Sequence, residues 1–288
     1  MEAPSALPAD ASADARHCER LVREGDRDRW LATLFAPAEA RAALFALYAF
    51  SLEIASVRER AREPLTGEIR LQWWRDALDG SAQGEARGNP VFAALEDAIG
   101  TYRLPRAPFL ALIDARVGDL YEDPIETVND LEGYCGETSS VLMRLASLVL
   151  AKGEDPGLAD AAGHCGVAYA LAGLMRAFPW HVAQGRLLVP PIETLARHGL
   201  TRERVVSGEG GLPLRAALQD MRALARDHLR RGRAALADAP RAIRPAFLPL
   251  ALVPALLAAM ERRDYDPYRT IVEVPQWRRQ IALWWAAR

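Results

Sequence analysis

Apolar residues recur every three to four positions along almost the whole chain, and no stretch shows the alternation of apolar and polar residues that is typical of a strand. The stretch AEARAALFALYAFSLEIASVRERA, which follows Pro37, shows this best, because Leu44, Leu47 and Tyr48 fall on one face of a helix. A proline at the start suits the first turn of a helix. The sequence therefore predicts an all-α fold of about ten helices.

Prolines, glycines and cap residues divide the pattern into separate helices; Asn89 and Pro90, for example, are expected to cap and open one of them. No repeat or change of composition divides the chain further, so residues 16–288 are predicted to form a single domain. Residues 1–15 have acidic side chains and no apolar core, and are expected to be a flexible leader without a signal or transit-peptide pattern. The predicted helices are 38–62, 68–80, 89–103, 105–122, 127–151, 156–178, 192–199, 214–238, 245–262 and 275–288.

Composition limits the classes of function. The chain has 288 residues, 50% of them hydrophobic, which is enough to bury a substantial core. A formal net charge of −2 gives no general attraction to nucleic acid, and no nucleic-acid partner is expected. The longest apolar run, residues 246–260, is shorter than the roughly 20 residues that cross a bilayer, so any membrane contact is expected to be peripheral.

The cysteines indicate a reducing compartment. Cys18, Cys135 and Cys165 are far apart in the sequence, odd in number, and without the spacing of a zinc site. Neither a disulfide nor a bound metal is expected. The cysteines suit a cytoplasmic location.

A first candidate motif lies near the end of the predicted helix 38–62. Positions 55 and 59 share a helical face, where a pair of carboxylates would suit Mg²⁺. The chain has Ala55, Ser56 and Glu59 there. Because Arg58 and Arg60 flank Glu59, a solvated ion pair is the favoured interpretation of this glutamate.

The stretch RLQWWRDALDG contains Gln72, Trp73, Trp74 and Arg75. Successive helical side chains diverge by about 100°, so these four cannot all face one ligand. One tryptophan is predicted to lie in the core, and the other either packs there or lines a cavity.

Three small hydroxyl residues, Thr138, Ser139 and Ser140, lie in the middle of the predicted helix 127–151. Such residues either permit close helix packing or donate to the carbonyl four residues earlier. The sequence favours this structural role over a functional one.

The stretch LMRAFPWHVAQGRLLVP gathers Arg176, Trp180, His181 and Arg186 around Pro179. The proline is expected to kink or end the helix there. With no carboxylate from residue 161 to residue 192, this corner has cations for an anion and no ligands for a metal. A structural role is the favoured interpretation of His181.

The predicted helix 275–288 places Trp277, Ile281 and Trp284 on one face, flanked by Arg278, Arg279 and Arg288. Either this helix packs on its own domain, or its tryptophans and arginines meet a membrane surface or a partner groove.

Several stretches, taken in order, resemble the squalene/phytoene synthase family. They are DRDRWLATLFAP, ALFALYAF, GEIRLQWWRDAL, LEGYCGETSS and GVAYALAGLMR followed by QGRLLVP, within residues 26–200. The resemblance implies an all-α isoprenoid-synthase fold around a central cavity. Active members of that family carry two aspartate-rich motifs on facing helices, which hold Mg²⁺ ions that bind two diphosphates.

The resemblance places these motifs at positions where this chain has few acids. The first motif would have acids where Ala55 and Ser56 stand, and keeps only Glu59; the second falls on the run from Arg176 to His181, with Ala177 and Trp180 in place of acids. Without the carboxylates, Mg²⁺ has no cage in which to activate a diphosphate.

The form of this loss resembles the non-catalytic branch of the family, whose members act in complex I assembly. The resemblance implies a catalytically degenerate factor for assembly or maturation of a respiratory membrane complex, with that complex's subunits or assembly intermediates as partners. It implies no cofactor, and an isoprenoid or quinone-like lipid as a further candidate ligand for the cavity. The lack of a transit-peptide pattern favours a cytoplasmic location, and the predicted helix 275–288 is the candidate for peripheral contact with the inner membrane. The alternative is an active head-to-head prenyltransferase that uses Mg²⁺. The candidate cavity residues are Tyr48, Gln72, Trp74, Arg176, His181 and Arg186.

Overall fold

The computed structural model describes residues 5–61, 63–81, 83–121 and 123–288, and it contains helices and no strand within those ranges, which confirms the all-α prediction. The helices of the first half are α1 (Ala13–Gly25), α2 (Arg27–Thr33), α3 (Ala38–Ala55), α4 (Val57–Arg60), α5 (Pro64–Asp79), α6 (Gln83–Ala86), α7 (Pro90–Tyr102), α8 (Ala107–Val117) and α9 (Val128–Cys135).

The second half follows the 3₁₀ turn Gly118–Leu120 and the π-helical turn Gly136–Ser140. A longer 3₁₀ segment, Arg241–Leu252, precedes α16. The remaining helices are α10 (Val141–Leu150), α11 (Ala159–Arg176), α12 (Phe178–Ala183), α13 (Ile192–Arg197), α14 (Arg202–Val206), α15 (Gly211–Ala235), α16 (Val253–Ala259) and α17 (Gln276–Ala286).

The core surrounds α3 and α11. α3 packs against α1, α7 and α10, and α11 packs along α15 and against the π-helical turn. Phe45 and Phe50 of α3 are fully buried, as the apolar face of that helix requires. The predicted N-cap is confirmed, because the Asn89 side chain accepts from the backbone N–H groups of Val91 and Phe92.

Three predicted helices are interrupted. The helix predicted at 38–62 stops at Ser56, whose hydroxyl donates to the Glu53 carbonyl at 2.9 Å, and resumes as α4. The π-helical turn divides the helix predicted at 127–151. Pro245 and Pro249 have no backbone N–H, and the segment around them is 3₁₀ rather than α.

The chain is more ordered near its start than the sequence predicts. α1 begins at Ala13, inside the expected leader. Before it, the backbone N–H of Ala6 donates to Glu19 at 2.6 Å, and Arg41 donates to the Ala6 carbonyl at 2.9 Å. Leu7 is buried in the same place. Residues 5–12 therefore pack on α1 and α3, while residues 1–4 of the expected leader lie outside the described ranges.

The segment Arg241–Ala259 has 19 residues, and its most apolar window has a mean hydropathy of 1.8, enough by length and composition to cross a membrane. It is longer than the apolar run 246–260 because the 3₁₀ turns begin at Arg241. Within the fold, 61% of its most apolar window is buried, against α10, α11 and α17. A buried core helix passes the same test of length and composition.

Two of the three hydroxyl residues serve packing in the ways expected, whereas the buried Ser139 hydroxyl has no hydrogen-bond partner among the described residues. Thr138 donates to the Tyr134 carbonyl at 2.6 Å, and Ser140 donates to the Gly163 carbonyl of α11 at 2.8 Å. At this crossing a Cβ on Gly166 would lie 2.3 Å from the Ser140 Cα. The approach of α11 to the π-helical turn therefore depends on a missing side chain.

Gly166→Ala is expected to lower the free energy of unfolding by about 1–3 kcal/mol, because the added methyl group must push two backbones apart. Gly173→Ala is the matched control, since a Cβ on Gly173 of the same helix meets nothing within 4 Å. That change is expected to be neutral or to stabilise by up to about 1 kcal/mol through helix propensity. Denaturant titration of both variants tests the crossing, and equal midpoints would contradict it.

Candidate functional site

A cleft of about 680 Å³ opens between three parts of the chain: the α1–α2 junction, the α11–α12 junction, and the segment that leads into α17. Arg176, Ala177 and Trp180 line it, so part of the second motif position faces this cleft. The side chains around it carry both charges. They include Asp26, Asp28, Tyr169, Arg176, Trp180 and Arg279.

Asp26 lines the cleft, and Arg29 pairs with it from outside the lining. Asp26 is the N-cap of α2, accepts from the Arg29 backbone N–H at 3.0 Å, and pairs with the Arg29 guanidinium at 3.0 Å. The guanidinium carbon lies 5.3 Å from the centre of the Tyr48 ring and 5.1 Å from that of Tyr169. Tyr48, a candidate cavity residue, is therefore covered by an arginine, and burial raises its pKa to about 12.

Asp28 is the buried acid of the site. Its Oδ1 lies 2.7 Å from the Arg279 Nε of α17, and its Oδ2 lies 3.8 Å from Arg176. The contact with Arg279 is an ion pair whose angle is not that of a hydrogen bond. Burial raises the pKa of Asp28, against the lowering effect of Arg279. The charge of Asp28 is thus committed to arginines of the chain itself.

The first motif position lines a second cleft, of about 490 Å³. Ala55, Ser56 and Glu59 lie there, and the two clefts meet at Glu24 and Gly25, which line both. The two motif positions therefore lie on adjacent clefts, as facing motifs would.

An acid in the second cleft is also paired within the chain. Glu53 of α3 forms an ion pair with Arg60 at 2.9 Å. Glu59, by contrast, has no ion pair in the described part of the chain. The ion pair expected for this glutamate is therefore not found there.

His181 and Arg186 lie behind the first cleft, in a buried polar cluster. Arg186 approaches Asp119 at 3.4 Å, and Arg116 donates to the same carboxylate at 2.8 Å. Burial and the nearby Arg186 lower the pKa of His181 to about 4, so its ring is neutral at pH 7. Its Nδ1 is buried without a hydrogen-bond partner among the described residues.

The remaining candidate cavity residues lie elsewhere. Trp74 is buried, with its ring edge-to-face against Phe50 at 5.2 Å and against Trp73 at 5.1 Å. Gln72 is exposed and donates to Asp76 at 2.7 Å. Of the six candidates, Arg176 is the one that lines the first cleft.

Sequence reasoning did not predict the ion pairs that set the charge of the cleft, which join Asp26 to Arg29 and Asp28 to Arg279. It had placed Arg279 beside the tryptophans of the predicted helix 275–288. A signal for Asp26, Asp28 and Arg29 was present in the stretch DRDRWLATLFAP, where alternating acids and arginines begin a short helix. Arg279 gave no such signal, because its partner lies some 250 residues earlier in the chain.

The side chains at the motif positions do not fit a Mg²⁺ cage. Mg²⁺ requires oxygen ligands in near-octahedral geometry. Nowhere in the described ranges do three or more His, Cys, Asp or Glu side chains come together as a metal site would need. Two of the four acids that line the first cleft, Asp26 and Asp28, are held by Arg29 and Arg279 instead.

Comparison with known proteins agrees with this fold. A family model for squalene/phytoene synthase matches residues 22–285. The Drosophila melanogaster homolog of NADH dehydrogenase (ubiquinone) complex I, assembly factor 6, is 31% identical over 264 residues, covering 87% of this chain and 76% of that protein. The Bos taurus protein is 28% identical over 256 residues, with 89% and 76% covered.

Enzymes of the family are also similar. The 15-cis-phytoene synthase of Synechocystis is 25% identical over 292 residues, covering 94% of this chain and 84% of the enzyme. The crystal structure of squalene synthase HpnC from Alicyclobacillus acidocaldarius superposes with a TM-score of 0.77 at 26% identity, covering 91% and 98% of the two chains.

The neutral state of His181 has a consequence for stability. In the unfolded chain a histidine takes up a proton near pH 6.5, whereas folded His181 takes it up only near pH 4. The unfolded state therefore binds more protons between these values, and the free energy of unfolding falls as the pH falls through this window. At pH 4.5 the loss from this residue is roughly 2–3 kcal/mol.

Denaturant titration at pH 7 and pH 4.5 measures this loss in the wild type and in His181→Gln, which cannot titrate. The variant is expected to lose less stability between the two values. The same pH dependence in both proteins would contradict the buried, neutral histidine.

Proposed function

Because the chain belongs to the squalene/phytoene synthase family but lacks carboxylates at the positions that would hold magnesium, we propose that it is a catalytically degenerate member that assists assembly or maturation of a respiratory membrane complex. The observation that carries the proposal is chemical. Glu59 is the one carboxylate at these motif positions. The other positions have Ala55, Ser56, Ala177 and Trp180, none of which is a strong ligand for Mg²⁺.

The charge of the clefts supports the same proposal. Ionisation of a prenyl diphosphate needs cations directed at the departing oxygens. Arg29 and Arg279 instead neutralise Asp26 and Asp28 of their own chain. The charges of Asp26 and Asp28 are thereby balanced by arginines of the same chain, and these carboxylates are not free to hold several divalent ions.

The relatives named as complex I assembly factors supply the class of partner. Subunits of a complex I-like enzyme, or its assembly intermediates, are the proposed partners. A cytoplasmic location with peripheral contact to the inner membrane is proposed with them. The clefts, of about 680 and 490 Å³, have the size of small-molecule sites and are proposed to accept an isoprenoid or quinone-like lipid. No cofactor is needed for this role.

A strain of the native host without the gene is expected to contain less assembled complex I-like enzyme and to show lower NADH–quinone activity in its membranes. The wild-type chain and Glu59→Ala are both expected to restore the activity, because Glu59 has no catalytic duty in this proposal. Normal complex levels in the deletion strain would contradict the proposal.

The second candidate is an active head-to-head prenyltransferase, which the similarity to HpnC and to phytoene synthase favours. Purified protein with Mg²⁺ and farnesyl or geranylgeranyl diphosphate is expected to form no hydrocarbon at enzyme-like rates, because the metal ligands are missing. Turnover at such rates, abolished by Glu59→Ala, would establish the second candidate and overturn the first.

A further inference from the structure

α17 has apolar side chains on both its inner and its outer face. On the inner face Leu283 is fully buried, and Arg279 is held against Asp28 at 2.7 Å. On the outer face Trp277 is 58% exposed and Trp285 is 64% exposed. A surface helix normally turns polar residues outward, so exposed indole rings at these positions require an explanation.

The exposed apolar side chains fall on one continuous strip. Trp277, Ile281 and Trp284 are separated by four and three residues, and Arg288 follows four residues later. Trp285 lies at the edge of this strip, at about 100° from Trp284. We define the α17 outer face as Trp277, Arg278, Ile281, Trp284, Trp285 and Arg288.

The charge of this face is of one sign. No acidic residue follows Glu273 in the sequence. Arg288 stacks on the Trp284 ring at 3.2 Å, and Arg278 on the Trp277 ring at 5.0 Å. Neither arginine forms an ion pair within the described ranges. Both guanidinium groups therefore remain able to meet anions at the level of the indole rings.

A recess of about 330 Å³ lies at the end of α17. Its walls are mainly apolar, and Arg233 and Arg244 lie beside them without an ion pair in the part of the chain that the structure describes. An apolar recess with unpaired cations suits a molecule with an anionic head and an apolar chain. Its lining includes Leu236, Phe247, Leu248, Leu250 and Ala286.

We propose that the α17 outer face docks on an anionic phospholipid surface, with the recess at the end of the helix receiving part of one lipid. Tryptophan and arginine together are the composition of helices that lie in the membrane interface, where rings enter the headgroup region and cations meet phosphate. The ion pair of Arg279 with Asp28 fixes α17 on the domain so that the tryptophans face outward. The proposal gives the assembly role its membrane contact and does not depend on that role.

A second copy of the chain fits this face poorly. A twofold contact would place the same patch on both subunits, and Arg278 and Arg288 would then meet arginines. A partner groove lined with acids would satisfy the charges, but the recess with its apolar walls favours a lipid.

Co-sedimentation of the full chain with vesicles tests the proposal. Binding is expected to phosphatidylcholine vesicles that contain phosphatidylglycerol, to be far weaker with phosphatidylcholine alone, and to fall in about 1 M salt, which screens charges beyond about 3 Å. Equal binding to both kinds of vesicle, or no binding, would overturn it.

Variants locate the surface. Trp277→Ser combined with Trp284→Ser is expected to lower the vesicle partition coefficient by about tenfold or more, because two large rings no longer enter the interface. Leu212→Ser is the matched control, since Leu212 is 80% exposed on α15. Arg278→Gln is expected to weaken the dependence on phosphatidylglycerol. Circular dichroism and thermal unfolding check that each variant is folded.

The assignment to α17 would be overturned if the double variant partitioned to vesicles as well as the wild type does. It would also be overturned if Leu212→Ser lowered the partition coefficient by the same factor as the double variant. The lipid assignment would also be overturned if the wild type failed to bind vesicles and light scattering showed a wild-type dimer that the double variant does not form. Normal complex assembly by a chain that does not bind vesicles would overturn the docking surface and leave the proposed function intact. If the chain binds vesicles but deletion of its gene leaves the level of the complex unchanged, the docking surface stands and the proposed function is overturned.

Discussion

The buried charges of the α1–α2 junction are the constraint on which the arrangement of the clefts depends. A carboxylate that leaves water must be paired or lose its charge, and Asp28 is nearly fully buried. Its partners come from distant elements, Arg279 from α17 and Arg176 from α11. One short helix thus joins the carboxyl-terminal helix to the wall of the first cleft through electrostatics rather than through chain connectivity.

The same pairing relates the fold to the proposed function. The chain keeps the helical fold of the squalene/phytoene synthase family and two adjacent clefts at the motif positions. In the first cleft Asp26 and Asp28 pair with Arg29 and Arg279, whereas the chemistry of the enzymes would require acids that hold metal ions. A protein of this kind retains a shape that is able to hold a lipid, and α17 carries a surface suited to a membrane. Both features suit the proposed role of a factor that works beside a membrane complex.

Local pattern was sufficient to predict the fold class, the cap at Asn89 and the packing role of Thr138 and Ser140. It failed where tertiary contacts decide. The leader was expected to be flexible because residues 1–15 lack apolar periodicity, yet residues 5–12 are held by Glu19 and Arg41. Tyr48 was expected in a cavity, but Arg29 covers it. Such contacts join residues far apart in sequence, and no local spacing reports them.

Calorimetric titration of Mg²⁺ into the purified chain, with and without geranylgeranyl diphosphate, tests the central claim most directly. Clefts that lack carboxylates at the motif positions, and in which Asp26, Asp28 and Glu53 already pair with arginines, are expected to show no tight uptake of several ions, whether or not the diphosphate is present. Tight uptake of several Mg²⁺ ions per chain that appears only with the diphosphate would contradict the claim and return the chain to the active enzymes.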